Sequence, residues 1–362
     1  MFKENFATAK APAPARDLVG ELEEASRFVR RHVIASIYHA GSGHPGGALS
    51  CADILACLYG AELNLWPSGV SDPDRDRFVL SKGHAAPALY AVAAHYGFCD
   101  RHAARNLRKL GSPFQGHPHV LELPWVETST GSLGQGLSVA LGMAMGLKLR
   151  GSTARVYALI GDGEMQEGEV WEAAMCAAHH RLDNLCVIVD YNKLQSDNTN
   201  DAIMHLEPLA AKWRAFDWAV AEIDGHRHAA ILSALRSASV TQGRPALLIA
   251  HTVKGKGVPY MEDKPQWHGS VKLTREQSED ALRALKASPD QTRGTGRRHC
   301  RRHRHASFPF APARPFFSIR HCRTEHDGGG GRHGGGGSSA GCHHLRGVLP
   351  ARHRTGAAFH RL

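Results

Sequence analysis

The sequence predicts an α/β protein built on a doubly wound, mostly parallel sheet flanked by helices. Three observations carry that expectation. The apolar runs ARVYALI (154–160), NLCVIVDYN (184–192) and PALLIAHTV (245–253) are continuous, not alternating, as in strands buried on both faces. Stretches of helical character separate them, EVWEAAMCAAHHRL (169–182) and a segment around 228–240, which is the β-α-β alternation of a sheet covered by helices. At 362 residues and 42% apolar composition, the chain also has ample material for a buried core.

From the N-terminal side, residues 17–38 space Leu18, Leu22, Phe28, Val29, Val33 and Ile37 near the helical period. A glycine-rich break, GSGHPGG (41–47), precedes a second helical run over 52–63. RFVLS (77–81) reads as a short strand running into a loop and helix, KGHAAPALYAVAAHYG. GSLGQGLSVALGMAMGLKL (131–149) reads as a glycine-rich turn opening a helix whose small residues permit close approach. WAVAEID (218–224) is a further strand. After Lys286 lysine vanishes and Arg, His and Gly take over, as in RRHCRRHRH and DGGGGRHGGGG. No apolar period survives there. The organisation expected is a flexible extension over 1–16, one domain over 17–286, and an Arg/His/Gly-rich tail over 287–362, disordered or the product of a shifted reading frame.

The formal charge of +10 invites a nucleic-acid reading, and its distribution argues against one. Fourteen arginines and three acids fall in 287–362, so that stretch carries +11 and residues 1–286 carry −1. Nucleic acid is therefore not an expected partner of the body. No apolar stretch approaches the ~20 residues of a membrane-spanning helix, and MFKENFATAKAPAPA (1–15) lacks the apolar segment of a secretory signal. A cytoplasmic protein without a membrane partner is expected. Cys51, Cys57, Cys99, Cys176 and Cys186 form no CxxC pair and sit in apolar surroundings, so they are expected to be reduced residues of the interior.

Residues 161–168, GDGEMQEG, directly follow the strand YALI. In a doubly wound sheet ligands bind beyond the carboxyl ends of the strands, and this turn lies at one. Gly161 and Gly163 let the backbone approach a ligand, and the helix start beyond offers amide donors to an anion. Asp162 is a hard oxygen ligand at the same spot. Magnesium takes about six oxygens, from one or two protein groups plus phosphates and water. A second ligand is expected from the next strand end, where Asn192 stands thirty residues on. The arrangement suits a diphosphate held through magnesium.

GDGEMQEGEVWEAAMCAAHHRLDNLCVIVDYNKLQ resembles the thiamine diphosphate fingerprint, and more closely the transketolases. SGHPGG (42–47), DRFVLSKGHAAPALYA (76–91), GHP (116–118), TSTGSLGQGLSVALGMA (128–144) and HTVKGKGVPYMEDKPQWHG (251–269) stand in that family's order. The resemblance spans about 17–286 and implies the diphosphate-type thiamine-diphosphate-binding fold. It implies that Asp162, the Asn192 side chain and the Leu194 carbonyl ligate magnesium, or another divalent cation such as calcium or manganese. Gly163 would lie against the diphosphate, Gly161 would also bind the cofactor, and Gly131 and Leu133 would lie against the rings of thiamine diphosphate. Glu167 matches a glutamate of the dimer interface linking two cofactor sites, so some acids of the turn would face a partner. His44, His84, His117 and His268 match histidines of the substrate channel. His44 and His268 would shuttle protons at the sugar hydroxyl, His117 would bind the donor's C1 hydroxyl, and His84 and His268 would also approach the diphosphate. His95, His102, His179, His180, His205 and His226 fall outside these patterns and are expected to be ordinary core or surface residues.

The activity implied is transfer of a two-carbon ketol unit from a ketose phosphate to an aldose phosphate. The family's activating glutamate and much of its sugar-phosphate binding belong to a second, pyrimidine-binding domain, which nothing in 287–362 resembles. The expectation is therefore a transketolase N-terminal subunit, acting in a hetero-oligomer with two copies each of this chain and a C-terminal subunit. The alternatives are a deoxyxylulose-phosphate synthase-like or dehydrogenase E1-like component, or an inactive truncated transketolase. The histidine set SGHP, KGH, GHP and WHG favours transketolase. Two loop residues depart from the family pattern: Asp217 stands where a left-handed glycine is expected, and Asn198 where an Asp-Gly turn is usual.

Overall fold

The computed structural model describes residues 17–286, and the expected N-terminal extension and the Arg/His/Gly-rich tail lie outside them. Helix α1 (Leu18–Ala40) starts where the Asp17 carboxylate accepts from the Gly20 amide and stops at Gly41, whose φ of 72° gives a left-handed cap. Leu22, Val29, Val33 and Ile37 are fully buried along it, as their spacing predicts. Phe28 instead lies partly exposed among the rings of His32 and His95.

The second helical run differs from expectation. It begins earlier, inside the glycine-rich break, as α2 (Pro45–Ser50), with proline in the first turn. It bends at Cys51 into α3 (Ala52–Cys57) and ends in a wide turn over Leu58–Glu62. Gly46 and Gly47 sit within α2 because neighbours approach closely: a Cβ on Gly46 would lie 2.8 Å from the Trp267 carbonyl oxygen. Packing thus overrides the poor helix propensity of the pair.

Strand β1 (Arg77–Leu80) and α4 (Ala86–His95) follow. Next come α5 (Gln135–Leu149), β2 (Val156–Gly161), α6 (Gly168–His179) and β3 (Leu185–Tyr191). Two short helices, α7 (Asn200–Ile203) and α8 (Leu209–Ala215), precede β4 (Ala219–Asp224). Then come α9 (His228–Ser239), β5 (Ala246–His251) and α10 (Arg275–Ala284). The five strands are all parallel, in the order β1-β2-β3-β5-β4. Alternate residues of the central strands feed opposite cores. Tyr157, Leu159, Ile188 and Leu248 join α1, α3, α4 and α9 on one face. Val156, Ala158, Val187 and Ile249 join α5, α6 and α8 on the other. β4 is an edge strand and keeps partly exposed positions.

Asp217, after α8, has φ 63°, so the position is left-handed although it carries no glycine; aspartate tolerates this conformation better than most residues. At the start of α5, Gly136 packs on the end of β1: a Cβ there would lie 2.4 Å from Ser81 Oγ and 2.7 Å from Ser81 Cα. Gly136→Ala is therefore expected to destabilise the fold by about 1–3 kcal/mol, the usual cost of overpacking. Urea unfolding checks this, and an unchanged midpoint would contradict the close approach.

Candidate active site

The carboxyl ends of β1, β2, β3 and β5 converge on a cavity of about 150 Å³ lined by Asp162, Gly163, Asn192, Leu194, Lys82 and Lys254, with His84, His268, Leu133, Gly161 and Glu167 also on its wall. Asp162 follows β2 and is 2% exposed. One carboxylate oxygen accepts from Gly163 N at 2.8 Å and the other from Lys193 N. Burial, and then the neighbouring Asp190, push its pKa up to about 6. Asn192 follows β3, and its Oδ1 accepts from Leu194 N at 3.2 Å. Between them Lys193 takes a φ of 65°. The three expected metal donors are thus brought to one place.

Two buried lysines flank them. Lys82, 1% exposed, pairs with Asp190, which is fully buried, and donates to the Gly47 carbonyl at 2.9 Å. Burial alone would lower Lys82, but the Asp190 charge outweighs it and raises the ammonium's pKa. Burial alone would likewise raise Asp190, yet Lys82 and the hydroxyls of Ser50 and Thr252 hold it below its usual range. Removing one partner of such a pair typically costs about 3–5 kcal/mol. Lys254, also 1% exposed, donates to the Leu194 carbonyl at 2.5 Å and to His268 Nδ1 at 2.6 Å. Burial lowers its pKa to about 8.

Glu164, inside the GDGEMQEG turn, is directed inward. Its carboxylate accepts from Gly161 N at 3.0 Å, Gly134 N at 2.9 Å and the Ser81 hydroxyl. One buried acid therefore joins the ends of β1 and β2 to the start of α5. Glu167, by contrast, is exposed at the N-cap of α6. The two glutamates of this turn have opposite surroundings, which the sequence pattern does not separate.

The four motif histidines assemble. His44 lies 5.6 Å from His84, 6.3 Å from His117 and 6.5 Å from His268 between ring centroids, and His84 lies 5.0 Å from His268. Burial is the first cause lowering all four. His44 falls to about 4 and His268 to about 3, the latter helped by Lys254 and Lys82. His84 lies well below its usual value, and His117 is lowered too. Near neutral pH these rings are uncharged, each with one donor and one acceptor nitrogen. Gly131, at φ 146°, lies against His117, where a Cβ would meet the ring at 3.0 Å. It serves the His117 side and is not part of the cavity wall. The other histidines stay apart. His226 hydrogen-bonds Asp53, His205 hydrogen-bonds Asp201, and His95 packs on Phe28.

Reasoning from sequence misses Lys82, Lys254, Asp190 and Glu164. Their signal is a charged residue inside each glycine-rich or strand-end motif, KGH, VKGKG, VDYN and GDGE.

The residues suit a magnesium diphosphate. The donor set is all oxygen: one carboxylate, one amide and one carbonyl. Three protein oxygens leave room for phosphate oxygens and water in a shell of about six. Gly47 leaves a cradle, since a Cβ there would lie 3.1 Å from His84 Nε2 and 3.4 Å from Lys82 Nζ. Gln195 Nε2, on the same wall, is buried without a hydrogen-bond partner. Lys254, which pairs with a carbonyl and a histidine and with no carboxylate among the described residues, and the Gln195 amide are the donors here suited to an anion.

Comparison with known proteins identifies related chains. The family model of the transketolase thiamine diphosphate binding domain matches residues 23–292. An apulose-4-phosphate transketolase subunit of Phocaeicola vulgatus is 43% identical over 267 residues, covering 74% of this chain and 94% of that protein. The 6-deoxy-6-sulfo-D-fructose transketolase subunit SqwG of a Clostridium species is 41% identical, over 73% of this chain and 96% of its own length. The crystal structure of transketolase from Campylobacter jejuni superposes with a TM-score of 0.68 at 33% identity. The match covers 76% of this chain but 44% of that enzyme, so the present chain spans under half of its length.

Proposed function

The chain belongs to the transketolase family, in its thiamine diphosphate binding section, and from that premise we propose that it is the diphosphate-binding subunit of a two-subunit transketolase. The observation carrying this reading is the meeting of four histidines beside the Asp162–Asn192 strand ends. Two relatives of nearly the same extent are named as transketolase subunits, which supports a separate pyrimidine-binding partner. A cytoplasmic setting is part of the same proposal; among the described residues no helix is long and apolar enough to cross a membrane.

In this reading Asp162, Asn192 and the Leu194 carbonyl would hold magnesium, and Lys254 would offset charge of the diphosphate, Lys82 being balanced by Asp190. The bound cofactor supplies an electron sink for the two-carbon fragment. The chain's own work is to hold that cofactor and to move protons. At the hydroxyl whose proton must leave as the C2–C3 bond cleaves, His44 takes the proton and His268 donates its Nε2–H to the same oxygen. His268 receives the Lys254 ammonium on Nδ1, so Nε2 is the nitrogen that carries its proton in the neutral ring. His117 is exposed at the outer side of the cluster and meets the donor's C1 hydroxyl. Anionic charge brought beside Lys82 and Lys254 counters two of the causes that hold His268 low, and so raises its basicity.

The purified chain by itself is expected to transfer no ketol units, and to gain the activity with a C-terminal transketolase subunit. The assay supplies ketose phosphates, including an apulose phosphate, and separately a sulfofructose, with ribose 5-phosphate or glyceraldehyde 3-phosphate as acceptor. Turnover by the chain without a partner would refute the two-subunit proposal. Product formed from glyceraldehyde 3-phosphate and pyruvate, without ketol transfer, would move the chain to the deoxyxylulose-phosphate synthase class.

A further inference from the structure

We propose that His226 and Asp53, both outside the cleft, are positioning residues that set the loop carrying Lys254 and, through it, the ring of His268. The inference rests on reading the cleft as a thiamine diphosphate site. Asp53, in α3, is 3% exposed and receives both arms of the Arg30 guanidinium from α1, at 3.0 and 2.5 Å. Its Oδ2 also meets His226 Nδ1 at 2.7 Å, in the turn between β4 and α9. The other ring nitrogen, Nε2, accepts from the backbone N–H of Val253 at 2.8 Å.

Those two partners fix the tautomer. A backbone N–H can only donate, so Nε2 is bare and Nδ1 carries the ring proton toward Asp53. The residue after Val253 is Lys254, whose ammonium spans the Leu194 carbonyl and His268 Nδ1. Hydrogen bonds from a buried carboxylate in α3 therefore reach the Val253 amide, and the next residue along the chain, Lys254, makes the bond to a histidine of the cleft.

The ring is not needed to balance Asp53, because Arg30 already does so. Nor does it alone hold its own turn, since the His226 backbone amide is tied to Asp224 Oδ1 at 2.9 Å. Its distinctive contribution is the acceptor it offers to Val253. The flanking segment is held elsewhere by Thr252 N on the Tyr191 carbonyl and Gly255 N on the Gly46 carbonyl, each 3.1 Å. Between those anchors the Val253 carbonyl accepts from Lys256 N at 3.2 Å and the Lys254 carbonyl from Asp263 N at 3.0 Å, while the His226 ring holds the Val253 amide.

Two substitutions separate positioning from plain stability. His226→Asn keeps a donor where Nδ1 stands and loses the acceptor for Val253, whereas His226→Gln keeps an acceptor at the Nε2 position. Hydrogen–deuterium exchange of the full-length chain without cofactor, thermal melting, and thiamine diphosphate titration of the assembled enzyme with magnesium are measured on both. In His226→Asn, exchange over residues 252–256 should quicken and cofactor affinity should fall, each by about tenfold, the scale of one hydrogen bond. Its melting temperature should stay near wild type, and His226→Gln should restore both readouts.

Unchanged exchange in His226→Asn overturns the proposal. So does a loosened loop with unchanged affinity, or equal damage in both variants accompanied by a lower melting temperature. If neither variant folds, the wild-type chain still decides, because a Val253 amide that exchanges without protection is incompatible with the bond. A wild-type enzyme that fails to bind thiamine diphosphate would instead sink the functional reading, while the exchange results would still report on the loop.

Discussion

Asp162→Ala is expected to abolish magnesium-dependent binding of thiamine diphosphate in the assembled enzyme. Asp162 is the one carboxylate in the expected donor set; Asn192 and the Leu194 carbonyl supply neutral oxygens. Removing a partner that merely orients a metal ligand commonly costs 10- to 100-fold, so losing the charged ligand itself should cost at least ~100-fold. Titration of the cofactor with magnesium present, and again with the metal chelated, checks this. The wild type should lose affinity on chelation and the variant should have little left to lose. Alanine also strips the acceptor from the Gly163 and Lys193 amides, so Asp162→Asn serves as a control that keeps the shape and an acceptor oxygen but not the charge. Affinity unchanged in both variants would remove the metal assignment.

His268→Ala is expected to leave cofactor binding largely intact and to slow ketol transfer at least ~100-fold, the lower end for a lost acid–base group. The structure gives the reason in three parts. The ring lies within 6.5 Å of two other motif histidines. Lys254 fixes which nitrogen is bare. A pKa of about 3, set by burial and then by Lys254 and Lys82, keeps the ring neutral across the working range. The loss should therefore fall in kcat more than in the cofactor's dissociation constant. Wild-type turnover in the variant would leave His268 a packing residue and transfer the proton work to His44.

Much of this was legible in the sequence because the signals were local. Continuous apolar runs marked β2, β3 and β5, and the polar interruptions of WAVAEID fit the edge position of β4. Asp162, Asn192 and the four histidines were legible because each stands beside glycine or at a strand end within a recognisable motif. What escaped depended on partners far along the chain. Lys82 and Asp190 are 108 residues apart, and nothing in either neighbourhood says that one neutralises the other. Glu164 and Glu167 look alike three residues apart, yet only the first meets donors from three separate segments. The split of the second helical run was hidden because Gly46 and Gly47 read as a loop unless the close approach of Trp267 is known. The α10 start was readable in principle: Thr274 and Gln277 form a reciprocal capping box, but the polar sequence beyond it offers little apolar pattern.

The all-parallel sheet has a practical corollary for handling the protein. Lys82, Asp162, Asn192 and Lys254 each follow the carboxyl end of a strand, while the turns at Gly151 and Gly243 precede β2 and β5 and have open space around them. A six-residue strand spans about 20 Å, so a fluorophore, an affinity handle or a solid support attached at either turn sits a full strand length from Asp162. Immobilisation through those turns keeps the cleft free for reagents from solution, whereas attachment near residues 163–168 or 193–198 would crowd it.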